Sequence, residues 1–430
     1  MVAPSVEEIA EYNPWVRKEN FEVPLLKRKR YEEIKNEIKR SKFIIGIVGI
    51  RRIGKTILMK QIGNEIEGEK FFFSFDEEAY QNIESLKFVI SHFLKISKTK
   101  PHIFLDEVGR IKGWAGVIKK YHDLGKANFI VSSSSYLQLT KGKESLAGRL
   151  KDFNLMPWNF EEYLKLKNKE VVAVNDSNLE RAYTAFKNDY RDDIRDYLKK
   201  GAFPEIIDEG DEFQIKKYVK NSTVEKLVFE DLPRIFPIEH ADKVHDILIH
   251  IVKNNGSILN YSNIGGMLQL SKDTVKRYIF YLEQSLIINS LPLYGSYTKA
   301  LRKGKKYYSS CPPISFAYQE YYNEPNLVEN AVLNKLQEYF GNLRFYRDSV
   351  KREVDFIVNN IPIEVKWKSD ISSEDLKNVL FFMKKYKLKK GIIVAKKFSV
   401  IERNSKKIYI LPLEFFLLLD LTKIMSGFLK

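Results

Sequence analysis

The stretch FIIGIVGIRRIGKTILMKQI, which runs from Phe43 to Ile62, begins as an apolar run and ends in an amphipathic pattern. Between its two halves, four positions match the phosphate-binding loop pattern G-x-x-x-x-G-K-[ST]: Gly49, Gly54, Lys55 and Thr56. Such a loop requires a buried strand before it and a helix after it, and both are predicted here. Its backbone N–H groups surround the phosphates, while Lys55 is expected to reach the β- and γ-phosphates and the Thr56 hydroxyl to bind Mg²⁺.

A second apolar segment ends in a pair of carboxylates. HIFLDEV, from His102 to Val108, is predicted to be a buried strand that carries Asp106 and Glu107 at its end. This arrangement suits a site in which Asp106 holds Mg²⁺ and Glu107 activates the attacking water. An acidic pair that starts a helix is the simpler alternative, because negative charge is favourable at a helix N-terminus. Together with the loop upstream, the pair predicts a domain that binds and hydrolyses ATP.

Three further segments have the composition of buried strands: Lys70 to Asp76, Asn128 to Ser133 and Asp152 to Trp158. Helical patterns lie between them, so the chain is predicted to be an α/β protein with a mostly parallel central sheet. The segment that begins at Asn128 runs into the four serines at 132–135. A hydroxyl at this strand end is placed to sense the γ-phosphate, but a serine-rich loop or a helix cap explains any one of them equally well.

The composition of the whole chain narrows the class of protein. Its 430 residues are enough for about three domains, and its hydrophobic content of 44% is that of a globular protein. The formal net charge of +16 favours nucleic acid as a partner. Cys311 is the single cysteine, which excludes an internal disulfide and fits the reducing cytoplasm. No segment has the length and apolarity of a membrane span, so no membrane partner is expected.

The middle of the chain has the pattern of a DNA-binding module. A helix is predicted within residues 242–256, followed by a short helix, a turn near Gln269 to Ser271 and a longer helix from Lys272. This is the helix-turn-helix layout, and a hairpin-like segment after it would complete a winged helix. The residues expected to contact nucleic-acid phosphates are Lys272, Lys276, Arg277, Arg302, Lys303, Lys305 and Lys306. DNA is the favoured ligand, and a packing or dimerisation module with a solvated basic face is the alternative.

A predicted hairpin near the C-terminus places two carboxylates opposite each other. In REVDFIVNNIPIEVKWK, Asn359 and Asn360 form a two-residue turn, so Asp355 faces Glu364 across the pair of strands. Like charges in this position repel unless a divalent cation such as Mg²⁺ or Mn²⁺ lies between them. Lys366 lies on the same face as Glu364 and is placed to position a metal-bound water.

Two simpler explanations apply to the same hairpin. Glu353 falls opposite Lys366, so an ion pair between them is one alternative. The other is an exposed strand face of mixed charge, which is common because charges protect sheet edges from unwanted pairing. The sequence of the hairpin leaves both open.

Five segments of the chain follow one another in the order found in a prokaryotic family of AAA-type ATPases that is widespread in archaea, and the chain resembles that family. The segments that carry the resemblance are GIVGIRRIGKT, FLDEV, SSSSYL, SLAGRLKDFNLMPWNFEEYL and GAFPE. The double arginine Arg51-Arg52 is typical of the family's nucleotide-binding loop. The resemblance also implies that Arg149 is a γ-phosphate sensor or finger, in its own subunit or in a neighbour. A structural arginine paired with a carboxylate is the alternative.

The same resemblance implies a serine that senses the γ-phosphate. The family has Thr-Gly ahead of this serine, whereas this chain has Val131-Ser132. The departure leaves the choice between Ser133 and Ser134 open.

From about residue 324 onward, the predicted order α-β-β-β-α-β resembles the restriction-endonuclease-like, or PD-(D/E)xK, nuclease core. Asp355 and the segment Glu364 to Lys366 fill the positions of its motif, although the proline that precedes the aspartate is absent. Glu329 matches the acidic residue that is often found on the first helix of this core. The resemblance therefore implies a metal site formed by Glu329, Asp355 and Glu364, with Lys366 as a catalytic residue.

The predicted organisation has four parts: a P-loop ATPase core at 1–160, a helical lid and linker at 161–238, a winged helix at 239–320 and a nuclease-like domain at 321–430. ATP and Mg²⁺ are the expected cofactors, with Mn²⁺ a second candidate at the hairpin. The predicted function is that of an ATP-hydrolysing protein that acts on nucleic acid and carries a candidate nuclease site. The alternative is an ATP-driven switch or DNA-binding protein whose nuclease-like domain is inactive. The oligomeric state is left open.

Overall fold

The computed structural model describes residues 3–135, 146–171, 174, 178–186, 190–295 and 304–429. The strands within these ranges are β1 (Ile44–Val48), β2 (Lys70–Ser74), β3 (His102–Asp106), β4 (Asn128–Ser133), β5 (Leu150–Asn154), β6 (Ser257–Ile258), β7 (Ile288–Pro292), β8 (Lys305–Ser309), β9 (Arg344–Arg347), β10 (Glu353–Val358), β11 (Ile361–Val365), β12 (Lys390–Ala395), β13 (Ser399–Arg403) and β14 (Lys406–Pro412).

The α-helices within the same ranges are α1 (Val6–Glu11), α2 (Tyr31–Arg40), α3 (Lys55–Glu65), α4 (Ile83–Ile96), α5 (Trp114–Asp123), α6 (Phe160–Leu166), α7 (Leu179–Ala185), α8 (Arg191–Lys200), α9 (Glu212–Val219), α10 (Leu232–Ile235), α11 (Ala241–Lys253), α12 (Tyr261–Leu268), α13 (Lys272–Gln284), α14 (Pro312–Tyr318), α15 (Glu324–Gln337), α16 (Ser373–Lys385), α17 (Leu413–Leu418) and α18 (Leu421–Leu429). A π-helical segment, Lys220–Asp231, directly precedes α10. None of the described helices combines the length and the apolar character needed to cross a lipid bilayer.

Contacts between residues divide the chain into two compact units. The first unit consists of the chain up to Pro157 together with Lys226–Ala241 and Gln284–Leu286. The second unit consists of Trp158–Glu225, Asp242–Glu283 and the chain from Ile287 onward. Each unit is therefore built from segments that are separated in the sequence.

The first unit is built around a parallel sheet, which confirms the predicted α/β fold. In the described part of this unit, five strands lie in the order β2-β3-β4-β1-β5, and every neighbouring pair is parallel. Strands of such sheets are buried on both faces, and every residue of β1 is accordingly buried. The order places the carboxyl ends of β1, β3 and β4 side by side, which is where ligands bind in parallel α/β sheets.

The fifth strand begins and ends earlier than predicted. β5 covers Leu150–Asn154, whereas the sequence pattern predicts a strand from Asp152 to Trp158. Its residues pair with β1 along their whole length, so the pairing ends where β1 ends. Pro157, which has no N–H group to donate, follows shortly afterwards.

The second unit contains a mixed sheet. In its described part, six strands lie in the order β13-β14-β12-β11-β10-β9, with β9, β10 and β11 antiparallel neighbours and β11, β12 and β14 parallel. Helices α15 and α16 contact this sheet. The hairpin has the predicted register, with Val358 opposite Ile361. Positive φ angles of 48° at Asn359 and 66° at Asn360 identify its turn as type I′.

A smaller group of elements precedes this sheet in the second unit. α12 ends at Leu268, Gln269 takes a left-handed conformation with a φ of 56°, and α13 begins at Lys272, as the helix-turn-helix pattern predicts. Within the described ranges, β6, β8 and β7 form a three-stranded antiparallel sheet with β8 in the middle. Residues 296–303, which connect β7 to β8 in the sequence, lie outside the described residues.

The single cysteine provides a test of the packing in the second unit. Cys311 is 1% exposed, and burial raises the pKa of its thiol to about 12. A thiol that is both inaccessible and protonated is a poor nucleophile. We expect the folded protein to be inert to a thiol reagent such as dithionitrobenzoate at mildly alkaline pH, and to react at one thiol per chain in concentrated guanidinium chloride. Fast reaction of the folded protein would show that the burial of Cys311 is incorrect.

Candidate functional sites

The phosphate-binding loop lies between β1 and α3. Gly54 has a φ of 91°, a conformation that residues with a side chain rarely adopt, and it directly precedes Lys55, the first residue of α3. Gly49 is required for space, because a Cβ there would lie 2.6 Å from the backbone oxygen of Leu155. The backbone of the loop therefore requires both glycines of the motif.

Lys55 lies inside the loop, and the residue is only 5% exposed. Its ammonium donates hydrogen bonds to the backbone oxygens of Gly49, at 3.0 Å, and Ile50, at 3.2 Å. Glu107 Oε1 is 3.3 Å from the same nitrogen. The predicted phosphate-binding lysine and the predicted catalytic base therefore lie next to each other.

Asp106 accepts hydrogen bonds from two hydroxyl groups. Thr56 Oγ1 donates to Asp106 Oδ2 at 2.7 Å, and Ser132 Oγ donates to Asp106 Oδ1. The parallel neighbours β1, β3 and β4 bring these residues to one edge of the sheet. A hydroxyl and a carboxylate side by side are oxygen ligands of the kind that Mg²⁺ takes together with substrate phosphates and water. The residues therefore fit the Mg²⁺ that accompanies ATP.

The surroundings shift the pKa values of the acidic pair in opposite directions. Burial and the negative charge of Glu107 raise the pKa of Asp106. Burial would also raise the pKa of Glu107, but Lys55 and two neighbouring arginines outweigh it, so the pKa of Glu107 is lowered. Glu107 also has a φ of 52°, a strained backbone conformation of the kind that clusters at functional sites. An ionised carboxylate is the form that accepts a proton from water.

The serine closest to the acidic pair is Ser132, which the resemblance did not single out. Its hydroxyl accepts the backbone N–H of Glu107 at 2.8 Å and donates to Asp106. Of the two sensor candidates, Ser134 donates its backbone N–H to Glu107 Oε2 at 3.1 Å, and Ser133 Oγ donates to a backbone oxygen two residues further on at 3.1 Å. Ser132 reaches Asp106 because β3 and β4 are neighbours in the sheet. The order of strands in a sheet cannot be read from the sequence, so this contact was not predicted.

Arg51 binds a carboxylate that is 180 residues away in the sequence. Its Nε and Nη2 donate to the two oxygens of Asp231 at 2.5 and 2.6 Å, and Asp231 is 3% exposed. Arg110 contacts three carboxylates, with Nη1 3.0 Å from Asp76 Oδ1, Nη2 3.5 Å from Asp231 Oδ1 and Nε 3.9 Å from Glu107 Oε2. These contacts connect the predicted catalytic base to the segment Lys226–Ala241 of the first unit. Asp231 and Arg110 were not predicted from the sequence, because no local pattern marks their contact with each other or the pairing of Arg51 with Asp231.

Arg149 lies at the opposite end of the sheet from the phosphate-binding loop. Its backbone oxygen accepts the N–H of Ile44, the first residue of β1, whereas the loop follows the last residue of that strand. A strand of this length spans about 16 Å, which excludes contact with a nucleotide in its own loop. Arg149 Nε donates to Asp123 Oδ1 at 2.6 Å, as the structural alternative predicts. Arg52 lies in the loop itself, where it is exposed and has a φ of 69°.

The carboxylates of the hairpin in the second unit are buried. Asp355 is 9% exposed and Glu364 is 3% exposed, so the exposed face of mixed charge is not formed. Asp355 Oδ2 accepts the N–H of Val365 at 2.9 Å, and Glu364 Oε2 accepts the N–H of Asp355 at 3.2 Å. Burial and the charge of Asp355 raise the pKa of Glu364 to about 8 and that of Glu329 to about 7.

Lys306, which was predicted to contact nucleic acid, lies among these carboxylates. The residue is 3% exposed, so its burial excludes contact with a nucleic acid. Its ammonium is 2.7 Å from Glu353 Oε1, 3.2 Å from Asp355 Oδ1 and 3.5 Å from Glu329 Oε1. Tyr308 is two residues further along β8 and therefore on the same side of the strand, and its hydroxyl donates to Glu329 Oε1 at 2.8 Å.

Lys366 contacts Glu364, two residues before it in the chain. The Lys366 ammonium donates to Glu364 Oε1 at 2.6 Å, and Glu353 pairs with Lys306 and, at 3.5 Å, with Arg347. Among the residues that the structure describes, no three His, Cys, Asp or Glu side chains are arranged to hold a metal ion. The predicted ligands Glu329, Asp355 and Glu364 thus lie in one cluster, where the ammonium groups of Lys306 and Lys366 contact them.

The remaining basic residues predicted to contact nucleic acid lie in different environments. The exposed side of α13 carries three of them: Lys272, Lys276 and Arg277. Lys305 is half-exposed, and its ammonium lies 3.2 Å from both Glu283 Oε1 and Ser290 Oγ. Arg302 and Lys303 lie outside the described residues.

Family models match three parts of the chain. Residues 41–164 match the model described as an AAA domain. Residues 191–310 match a domain of unknown function (DUF8612), and residues 325–416 match another domain of unknown function (DUF4143). The first match includes the phosphate-binding loop, the acidic pair and all the strands of the parallel sheet. It supports an AAA-type ATPase domain that binds nucleotide.

Two uncharacterized proteins are similar to much of the chain. One, from Methanocaldococcus jannaschii, is 28% identical over 324 residues, which cover 73% of this chain and 71% of that protein. The other, from Haemophilus influenzae, is 21% identical over 301 residues, which cover 66% of this chain and 71% of that protein.

Solved structures show a weak likeness. A RuvB mutant of Thermotoga maritima has a TM-score of 0.32 at 12% identity, covering 65% of this chain and 92% of that chain. AMPPCP-bound DnaA from Aquifex aeolicus has a TM-score of 0.26 at 19% identity, covering 61% of this chain and 89% of that chain. TM-scores this low add nothing to the family match.

The buried ion pair of Arg51 and Asp231 leads to a prediction about stability. The substitution Asp231→Asn leaves the guanidinium of Arg51 buried without a counter-charge, so we expect the free energy of unfolding to fall by about 3 kcal/mol. Urea unfolding followed by circular dichroism measures the change. The matched control is Glu78→Gln, which removes an exposed pair with Arg234 and should cost less than about 1 kcal/mol. Equal effects of the two substitutions would contradict the buried pair.

Proposed function

We propose that the protein is an AAA-type ATPase that hydrolyses ATP at the loop after β1 and acts as a nucleotide-driven switch on nucleic acid. The observation that best supports ATP hydrolysis at this loop is the 2.7 Å contact of Thr56 Oγ1 with Asp106 Oδ2. A hydroxyl from the loop and a carboxylate from a neighbouring strand meet where the Mg²⁺ of bound ATP requires them. The family match over residues 41–164 supports the same activity.

In this proposal each residue has a separate task. Backbone N–H groups of the loop and of the start of α3 bind phosphate oxygens, and Lys55 exchanges its backbone acceptors for the β- and γ-phosphates. Thr56 and Asp106 hold Mg²⁺, which when bound with ATP neutralises charge on the phosphates. Glu107, kept ionised by its basic neighbours, orients the attacking water and accepts its proton.

The contacts of Arg110 and Arg51 offer a route by which hydrolysis is transmitted. Arg110 lies between Glu107 and Asp231, and Arg51 shares Asp231 with it. Loss of the γ-phosphate removes negative charge next to these arginines, which alters their attraction to Asp231. The segment Lys226–Ala241 contains Asp231 and is therefore expected to respond to the nucleotide state.

We propose that α12, α13, β7 and β8 form a winged helix that binds DNA. The three basic residues of α13 that are exposed lie in its first two turns, and the start of the second helix is the part that reaches DNA in helix-turn-helix proteins. Phe280 on the same helix is also exposed. The net charge of +16 favours the same partner. Phosphate contacts of this kind position a duplex without reading its sequence.

The proposed organisation keeps the four parts at 1–160, 161–238, 239–320 and 321–430. The cytoplasm is the proposed location, because the single cysteine fits a reducing compartment.

The mixed sheet with its hairpin, α15 and α16 supports a restriction-endonuclease-like fold for the last part. Metal-dependent cleavage is the weaker candidate, because Lys306 and Lys366 already face the carboxylates. Because Arg149 lies far from the loop of its own chain, the proposed role for it is contact with a nucleotide bound to a second copy of the chain.

The substitution Glu107→Gln tests the ATPase. We expect ATP hydrolysis to fall by about 10²- to 10⁴-fold, because the amide cannot accept a proton from water. Binding of a fluorescent ATP analogue should persist, because the loop and Lys55 are unchanged. The control is Glu67→Gln, the same chemical change at an exposed position, which should hydrolyse ATP at the normal rate. A normal rate of ATP hydrolysis by Glu107→Gln would show that Glu107 is not the catalytic base.

A triple substitution on α13 tests nucleic-acid binding. Replacing Lys272, Lys276 and Arg277 by alanine removes up to three phosphate contacts, so the slope of log K against log salt should become shallower by about 3. Fluorescence anisotropy with a labelled duplex at several salt concentrations measures the slope. The control replaces Lys384, Lys387 and Lys389, which are exposed elsewhere, by alanine and makes the same change in net charge. An equal change of the slope in both triple variants would show that binding depends on net charge alone and not on α13.

A further inference from the structure

The carboxylate cluster of the second unit surrounds the ammonium of Lys306. Glu353 and Asp355 lie on one face of β10, since they are two residues apart in a strand, and Glu329 lies in α15. One oxygen of each lies 2.7, 3.2 and 3.5 Å, respectively, from Lys306 Nζ. An ammonium has three N–H bonds, so its donors match the three carboxylates. Lys306 therefore has the surroundings that a bound cation would have.

The other oxygens of the cluster are engaged as well. Asp355 Oδ2 accepts the N–H of Val365, and Glu353 Oε2 is 3.5 Å from Arg347 Nη1. Glu364 accepts one bond from the backbone N–H of Asp355 and one from the ammonium of Lys366. Mg²⁺ requires near-octahedral oxygen ligands at about 2.0–2.1 Å, and these oxygens point to separate donors instead.

The charges of the cluster nearly cancel without a metal. Its carboxylates belong to Glu329, Glu353, Asp355 and Glu364, and the cations that contact them belong to Lys306, Lys366 and Arg347. With every carboxyl group ionised, four negative and three positive groups leave one formal negative charge. A divalent cation added to this set would produce a buried excess of positive charge, which is costly in a site of low exposure.

Lys306 is also held in place by its strand. β8 is the middle strand of the three-stranded sheet, and Lys306 pairs with Ile258 on one side and with Leu291 on the other. The residue is 3% exposed. Because the side chain is buried and its strand is paired on both sides, we expect withdrawal of the ammonium from the cluster to require movement of β8.

From these contacts we propose that Lys306 is the resident cation of this cluster and takes the place of a divalent metal, so that the cluster binds no metal while β8 is in position. The nuclease-like part is then a structural element whose charge is balanced from within the chain. This inference does not depend on ATP hydrolysis, and its test uses nucleotide-free protein.

The test counts Mn²⁺ bound per chain by electron paramagnetic resonance. Every protein carries Asp106→Asn, which removes the carboxylate ligand of the ATP site. With Lys306 present, bound Mn²⁺ should be the same with and without Asp355→Asn. The substitution Lys306→Met should create about one new Mn²⁺ site, because it frees the three carboxylates, and Asp355→Asn should abolish that site.

Lys305→Met is the matched control, because it removes a neighbouring lysine of the same strand whose ammonium contacts Glu283 instead of the cluster. It should create no Mn²⁺ site. Circular dichroism establishes that each variant is folded, and Lys306→Gln replaces Lys306→Met if the latter does not fold.

Two results would overturn the proposal. The first is Mn²⁺ binding, or Mn²⁺-dependent cleavage of labelled DNA or RNA, that requires Asp355 while Lys306 is present. The second is the absence of a new Asp355-dependent Mn²⁺ site in a folded Lys306 variant. The comparison of Mn²⁺ binding with and without Asp355→Asn tests the proposal even if no Lys306 variant folds, because it uses only proteins that retain Lys306.

Discussion

Neutralisation of buried carboxylates by lysine is the interaction on which both sites of this protein depend. In the first unit, Lys55 lies 3.3 Å from Glu107. In the second unit, Lys306 contacts three carboxylates, and the one on Asp355 is 3.2 Å away. A buried carboxylate without a partner would be protonated or would destabilise the fold, so each site requires its cation.

The two lysines differ in how easily they can be exchanged. Lys55 donates to backbone oxygens of a loop, and these neutral acceptors are readily replaced by phosphate oxygens of greater charge. Lys306 faces three carboxylates from two elements, and its backbone is paired on both sides. The same chemistry therefore produces an open ligand site in one unit and a closed one in the other. Because Lys306 belongs to β8, the proposed wing and the carboxylate cluster share a strand within the second unit.

Features with a local signal were predictable from the sequence. The phosphate-binding loop, the acidic pair and the parallel sheet follow from short motifs and apolar runs, because these depend on residues close together in the chain. The register of the hairpin follows from its two-residue turn. The contact of Ser132 with Asp106, the pairing of Arg51 with Asp231 and the location of Arg149 were not predictable, because they depend on strand order and on a pairing across 180 residues.

The amino-acid sequence by itself determined the chemistry that is available: a motif that binds phosphates, a carboxylate pair beside it and a hairpin that brings Asp355 close to Glu364. The tertiary structure decided which charges meet. Lys306 has the sequence context of a basic hairpin exposed to solvent, yet its place in the middle strand of a small sheet directs its ammonium into the carboxylate cluster. The physical reason is that short motifs follow from neighbours in the chain, whereas the partner of a buried charge follows from packing between segments distant in sequence.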